Sequence, residues 1–246
     1  MPRHFLSLAY LGTRYSGWQV QPNAASVQGQ LETALSTLLR QPISVTGCGR
    51  TDAGVHARHY VAHFDAQGDL PPTFLIQVNG LLPHDVAVQD CWPVAPEAHA
   101  RFDALQRSYE YHISLRKDPF SAQTAWFFHQ HHRADWAAVQ EAADVMSRFS
   151  AFFPFCKTHS DAEHYDCRMY AANWVLLPAE GRWVFQVSAN RFLRGMVRLM
   201  VGACLHVGLG KLSLDALRHA LDTQTPLPRN WSVPAHGLSL TGVRYV

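Results

Sequence analysis

Three glycines crowd an arginine and a carboxylate into one short stretch, Gly47-Cys48-Gly49-Arg50-Thr51-Asp52-Ala53-Gly54-Val55-His56-Ala57. Glycine bends the chain at positive φ and lets bare backbone approach whatever lies above it, which is the role expected here of Gly47 and Gly49. Asp52 is the acid of the stretch, able to serve as ligand, base or nucleophile. With Arg50 about 4 Å away at a partly buried site, the attraction would be roughly 4 kcal/mol at an effective dielectric near 20, enough to keep the carboxylate ionised at neutral pH. The plainer alternative is a turn in which Asp52 and Thr51 cap the backbone and Arg50 meets solvent.

Five other groups carry side chains with chemical potential. In Arg107-Ser108-Tyr109-Glu110-Tyr111, strand alternation puts Tyr109 and Tyr111 on one face, as core aromatics or as a stacking surface. Arg191, Arg194 and Arg198 stand at i, i+3 and i+7, which on a helix aligns them on one face, either a solvated basic face or a phosphate contact. Arg58 and Arg101 are further phosphate candidates. Cys156-x-x-His159 and His164-x-x-Cys167 have the spacing of a four-ligand zinc site. The segment between them, with Lys157, Asp161, Glu163 and Asp166, reads instead as a polar loop, and no metal is assigned to it. Nor is one assigned to His129-Gln130-His131-His132, which has no acidic partner nearby in sequence.

These groups need a scaffold. With 48% hydrophobic and 16% charged residues in 246, the chain can build a real core in one large or two modest domains. Its formal net charge of +2 leaves any polyanion-binding surface to local clusters. The 15 histidines would strengthen such a surface below about pH 6.5. Five cysteines, an odd number with no C-x-x-C pair, and an N-terminus without a signal-like apolar run point to a reducing, cytoplasmic setting. The most apolar helical stretch, residues 192–209, is interrupted by Arg194, Arg198 and His206, so no membrane span is expected.

The elements follow a pattern that occurs twice. Residues 4–10 read as a strand. Ser26 caps a helix whose apolar stripe runs Val27, Leu31, Leu35, Leu38, Leu39. Strands follow over 43–48 and 60–65, then a helix over 73–81 and a strand over 86–94. The second half repeats the order with a strand over 108–115, a helix over about 135–149, strands over 168–177 and 183–189, helices over 192–207 and 214–221, and a last strand over 238–245. The expected class is α/β of the α+β type, two ferredoxin-like β-α-β-β-α-β halves, with residues 1–104 carrying Asp52 and residues 105–246 forming the second half.

The glycine-rich stretch, with Tyr15-Ser16-Gly17-Trp18-Gln19 and Ser26-Val27-Gln28 before it, resembles the signature of the TruA family of tRNA pseudouridine synthases. Phe192-Leu193-Arg194-Gly195-Met196-Val197-Arg198-Leu199-Met200-Val201-Gly202 matches a second family pattern. The resemblance spans nearly the whole chain and departs chiefly over residues 153–166. It implies joined sheets about a pseudo-twofold, an active-site cleft between the halves, no cofactor, and Asp52 as catalytic nucleophile. Tyr109 then matches the tyrosine that stacks on the target base and is implicated in proton transfer. Arg198 matches the arginine paired with the aspartate and Leu238 the family's segment near the base; Arg50 joins them as active-site support, and Arg58, Arg101, Arg191 and Arg194 stand as candidates for RNA contact. The family acts on uridines 38–40 of the tRNA anticodon arm as a homodimer, and the divergent loop becomes an RNA-facing insertion. Two rivals stand beside this reading. A tandem RNA-recognition module would need an aromatic-rich third strand, which Tyr60-Val61-Ala62-His63-Phe64-Asp65 does not supply. A carboxylate-dependent nucleosidase would release free uracil.

Overall fold

In the first half the hydrophobic pattern translates directly into elements. The computed structural model describes residues 1–157, 164–229 and 231–245. It begins with β1 (Arg3–Tyr10), α1 (Val27–Leu39), β2 (Val45–Gly47), β3 (His56–Asp65), α2 (Phe74–Leu81) and β4 (Val86–Val94). Helix α1 starts where expected because Ser26, in extended backbone, accepts the Gly29 N–H on its hydroxyl at 3.2 Å, satisfying one of the orphan donors of the first turn. Val27, Leu31, Ala34 and Leu35 form its buried face. Fully burying a leucine is worth about 1.5–3 kcal/mol, so Leu31 and Leu35, both at 0% exposure, anchor the helix. β1 runs antiparallel to both neighbours, with Leu6 opposite Ala62 of β3 and Cys91 of β4. β2 lies along the far edge of β3 with Val45 opposite Phe64.

The second half continues with β5 (Gln106–Ser114), β6 (Trp126–Phe127), α3 (Trp136–Ser147), β7 (Met169–Leu177), β8 (Arg182–Ala189), α4 (Met196–Gly208), α5 (Leu214–Thr223) and β9 (Leu238–Arg244). β8 is antiparallel to β5 and β7, with Val187 opposite Tyr109 on one side and Ala172 on the other. Asp135 caps α3 by accepting the N–H groups of Ala137 and Ala138. Tyr111, Ile113, Met146 and Phe185, all at 0% exposure, are the heart of this core. The described residues thus hold nine strands and five α-helices, the mixed α/β class expected from sequence.

Three boundaries differ from the sequence reading. By compactness the chain divides into Met1–Leu105 with Ser239–Val246, and Gln106–Leu238, whereas sequence order counts the last strand with the second half. The cause is parallel pairing of β9 with β3, His56 opposite Ser239 and Ala57 opposite Leu240. The same pairing, with Tyr10 of β1 opposite Ala57, starts β3 four residues earlier than expected. Helix α4 begins at Met196 and not near 192, because Gly195 takes the left-handed conformation at φ 73° and breaks the helical path before it. No helix among the described residues is long and apolar enough to cross a membrane.

Candidate active site

Backbone hydrogen bonds and buried side chains hold the Asp52 turn. The Val55 N–H donates to the Asp52 carbonyl at 3.1 Å, closing a four-residue turn whose third residue, Gly54, has φ 78°. A type II turn requires that positive φ, so the glycine freedom expected of Gly47 and Gly49 is used at Gly54 instead. Gly47 is needed for space: a Cβ there would lie 2.0 Å from the Tyr60 hydroxyl and 2.6 Å from the Trp18 ring. Tyr60 stacks on Trp18 with ring centroids 4.1 Å apart, and its hydroxyl donates to the Gly49 carbonyl. Thr51 is buried, its hydroxyl bonded to that of Tyr10 at 2.9 Å. His56, also buried, accepts the Gly12 N–H on Nδ1 at 2.9 Å. Asp52 itself is half-buried, a carboxylate on a stiff floor.

The sequence reading set Arg50 against Asp52. Arg50 is exposed and forms no ion pair with another described residue, so the turn aims it at solvent and the expected close pair is absent. Arg58 is exposed on β3. Arg101, exposed beyond β4, lies with its guanidinium 5.6 Å from the centroid of the solvent-facing Phe102 ring.

The second unit organises the other candidates around β5 and α4. Tyr109 is half-buried and meets Phe192 edge to face, centroids 5.2 Å apart. Tyr111 is fully buried and donates its hydroxyl to the Pro234 carbonyl at 2.8 Å. Burial pushes its pKa far up, so it stays a neutral structural donor. Arg198, half-buried, donates Nε to the Val233 carbonyl at 2.7 Å and accepts the Val233 N–H on its own carbonyl. Two bonds to one residue fix where its guanidinium starts from. Leu238 is buried and follows a tight turn, Ala235–Gly237, pressed on Tyr111; a Cβ at Gly237 would sit 2.7 Å from the Tyr111 ring. Arg191 and Arg194 precede α4, so the single helix face expected for Arg191, Arg194 and Arg198 does not form. Arg191 donates to the His164 ring at 2.6 Å, and the Arg194 carbonyl accepts the Lys157 N–H at 3.1 Å.

Known proteins resemble this chain along its full length. The family described as tRNA pseudouridine synthase matches residues 149–246. The tRNA pseudouridine synthase A of Porphyromonas gingivalis is 46% identical over 100% of this chain and 98% of its own length. That of Parabacteroides distasonis is 43% identical over 100% and 96%, and that of Chlorobaculum tepidum 37% identical over 98% and 96%. The chain belongs to the tRNA pseudouridine synthase family.

As a synthase of this family it is an isomerase. The synthase match over residues 149–246 takes in Arg191, Arg194, Arg198 and Leu238, while Asp52 and Tyr109 lie within the full-length similarities. His159, one of the four residues with zinc-like spacing, lies outside the described residues. Among the described ones no three His, Cys, Asp or Glu side chains gather to hold a metal. Cys167 is buried, which pushes its thiol pKa up to about 11. Sequence reasoning missed a cluster beside the Asp52 turn. The Tyr15 hydroxyl donates to Asp85 Oδ1 at 2.6 Å and Arg14 Nε to Asp85 Oδ2 at 2.7 Å. Tyr15 stands inside a segment quoted for the resemblance, but nothing in one sequence links it to a carboxylate 70 residues away.

Proposed function

We propose that this synthase isomerises uridine to pseudouridine at positions 38–40 of the tRNA anticodon arm, with Asp52 as the nucleophile, in the cytoplasm and as a homodimer. The observation that carries the reading is the Asp52 turn. A half-buried carboxylate leads a type II turn whose neighbours Thr51, Val55 and His56 are buried and bonded or packed, so its direction is set before substrate arrives. The reaction breaks the bond between ribose C1′ and uracil N1, turns the base, and joins C1′ to C5. N1 then carries a proton and the C5 proton is released. The Asp52 carboxylate assists by attack at C1′ or by addition to C6, and both routes use the same residue.

Tyr109 stacks on the swung-out base, contributing about 1–3 kcal/mol toward the few kcal/mol that unstacking costs. Its edge contact with Phe192 supports this role by holding the ring at one angle. Arg198 supplies positive charge to the reaction, and its bonds to Val233 favour a fixed guanidinium. Leu238 helps to keep water from the detached base. Arg50, Arg58, Arg101, Arg191 and Arg194 contact phosphate; the exposure of Arg50, Arg58, Arg101 and Arg194 suits that work.

Incubating the protein with unmodified tRNA and analysing the nucleosides tests the proposal. Pseudouridine in the anticodon arm is the expected product. Free uracil as the main product would make the protein a nucleosidase, and binding without either product would make it an RNA-binding module.

A further inference from the structure

Asp85 lies outside the turn that carries Asp52, yet it fastens the segment against which that turn leans. Its side chain is buried and both carboxylate oxygens are occupied, one by the Tyr15 hydroxyl and one by Arg14 Nε. Its backbone carbonyl accepts the Leu11 N–H at 2.9 Å. The segment so anchored then meets the catalytic turn twice through backbone. Tyr15 accepts the Gly54 N–H at 3.3 Å, and the Trp18 N–H donates to the Thr51 carbonyl at 3.3 Å. Between them Gly17, at φ 102°, comes so near that a Cβ would lie 2.3 Å from the Thr51 carbonyl oxygen. The turn is therefore gripped on both sides of Asp52 by a segment whose position Asp85 determines.

A buried carboxylate is expensive unless its oxygens are bonded. Here the bonds go to the bracing segment, not to the sheet. The arrangement also persists at neutral pH: the Arg14 hydrogen bond holds the Asp85 pKa below the usual carboxylate range, while burial pushes Tyr15 up to about 12. Donor and acceptor therefore keep their roles.

We propose that Asp85 is a positioning residue for Asp52, acting through the Tyr15 hydroxyl. The proposal rests on the reading of Asp52 as nucleophile. It follows from the sensitivity of such steps to placement, since a shift of about 1 Å can slow the reaction on the order of 100-fold.

The test follows tritium released from uracil C5 of labelled tRNA, under single turnover with saturating enzyme, alongside tRNA affinity and thermal stability. Asp85→Asn and Tyr15→Phe should each slow release about 10-fold or more while affinity changes by less than about twofold. The double variant should be no more than about twofold slower than the slower single variant, because both changes cut one linkage. Wild-type rates per folded molecule in both variants, or losses that multiply in the double variant, would overturn the proposal. If Asp85→Asn does not fold, Tyr15→Phe decides by the same rate criterion, since it keeps the buried ring and removes only the hydroxyl. Asp52→Asn separates the two readings. Dead Asp52→Asn beside fully active Asp85→Asn and Tyr15→Phe overturns the positioning role alone, whereas active Asp52→Asn removes the nucleophile and the positioning role with it.

Discussion

Residue type and spacing made Asp52 a candidate but fitted a capping turn as well; the family resemblance is what singled it out. What spacing could not supply was the direction of each side chain. Arg50, two residues away, faces solvent, and the positive φ belongs to Gly54. The partners that do fix the turn come from Tyr10, Gly12, Tyr15 and Trp18, far off in sequence and visible only after folding. Titration has a residue-scale consequence too. His63 is buried between Phe5 and His99, and accepts the Ala100 N–H on Nδ1 at 3.1 Å. Burial, then the nearby Arg3 and His99, lower its pKa to about 4. The folded state therefore holds His63 neutral while the unfolded chain takes up a proton near pH 6.5. Its contribution to stability is complete above about 6.5 and is lost as pH falls toward about 4. Denaturant melts should show unfolding free energy lower by roughly 2 kcal/mol at pH 5 than at pH 7, and less of that loss in His63→Gln. A pH-independent midpoint over this range would contradict the assignment.

Elements with one dominant signal were legible, and those decided by backbone contact were not. Ser26 and a regular apolar stripe define α1, and β4 runs over the residues its pattern indicates. Helix α4 misled because Phe192, Leu193, Met196 and Val197 continue an apolar run across Gly195, hiding the left-handed residue that starts the helix. Close approach also reverses the ordinary effect of substitution within helices. Alanine in place of a helical glycine usually stabilises by about 0.5–1 kcal/mol. In α2 Gly80 is exposed, and a Cβ added there would meet nothing within 4 Å, so Gly80→Ala should raise the melting temperature. In α4 a Cβ at Gly202 would lie 1.7 Å from the Trp231 carbonyl oxygen, so Gly202→Ala should destabilise by about 1–3 kcal/mol through overpacking. Equal shifts of the same sign in the two variants would contradict this account of α4.

At the scale of the whole molecule, the sequence reading reached the α/β class and the family. It counted residues 239–246 with the second half by chain order, since only strand pairing reveals that β9 lies along β3. A net charge of +2 on 246 residues means that attraction to tRNA must come from local arginines and not from the field of the whole chain. Each phosphate contact releases counterions, so the logarithm of affinity should fall linearly with the logarithm of salt, by roughly 0.7–0.9 per contact. Replacing Arg58 or Arg101 should lower that slope by about one each, whereas an unchanged slope in both would remove them from the RNA path. The central claim is that the Asp52 carboxylate carries out the rearrangement of a tRNA uridine. Quantifying pseudouridine at positions 38–40 of one unmodified tRNA, treated in parallel with wild-type protein and with Asp52→Asn, tests it most directly. Wild type should convert the site while Asp52→Asn binds the tRNA with similar affinity and forms no pseudouridine; substantial conversion by Asp52→Asn would contradict the claim.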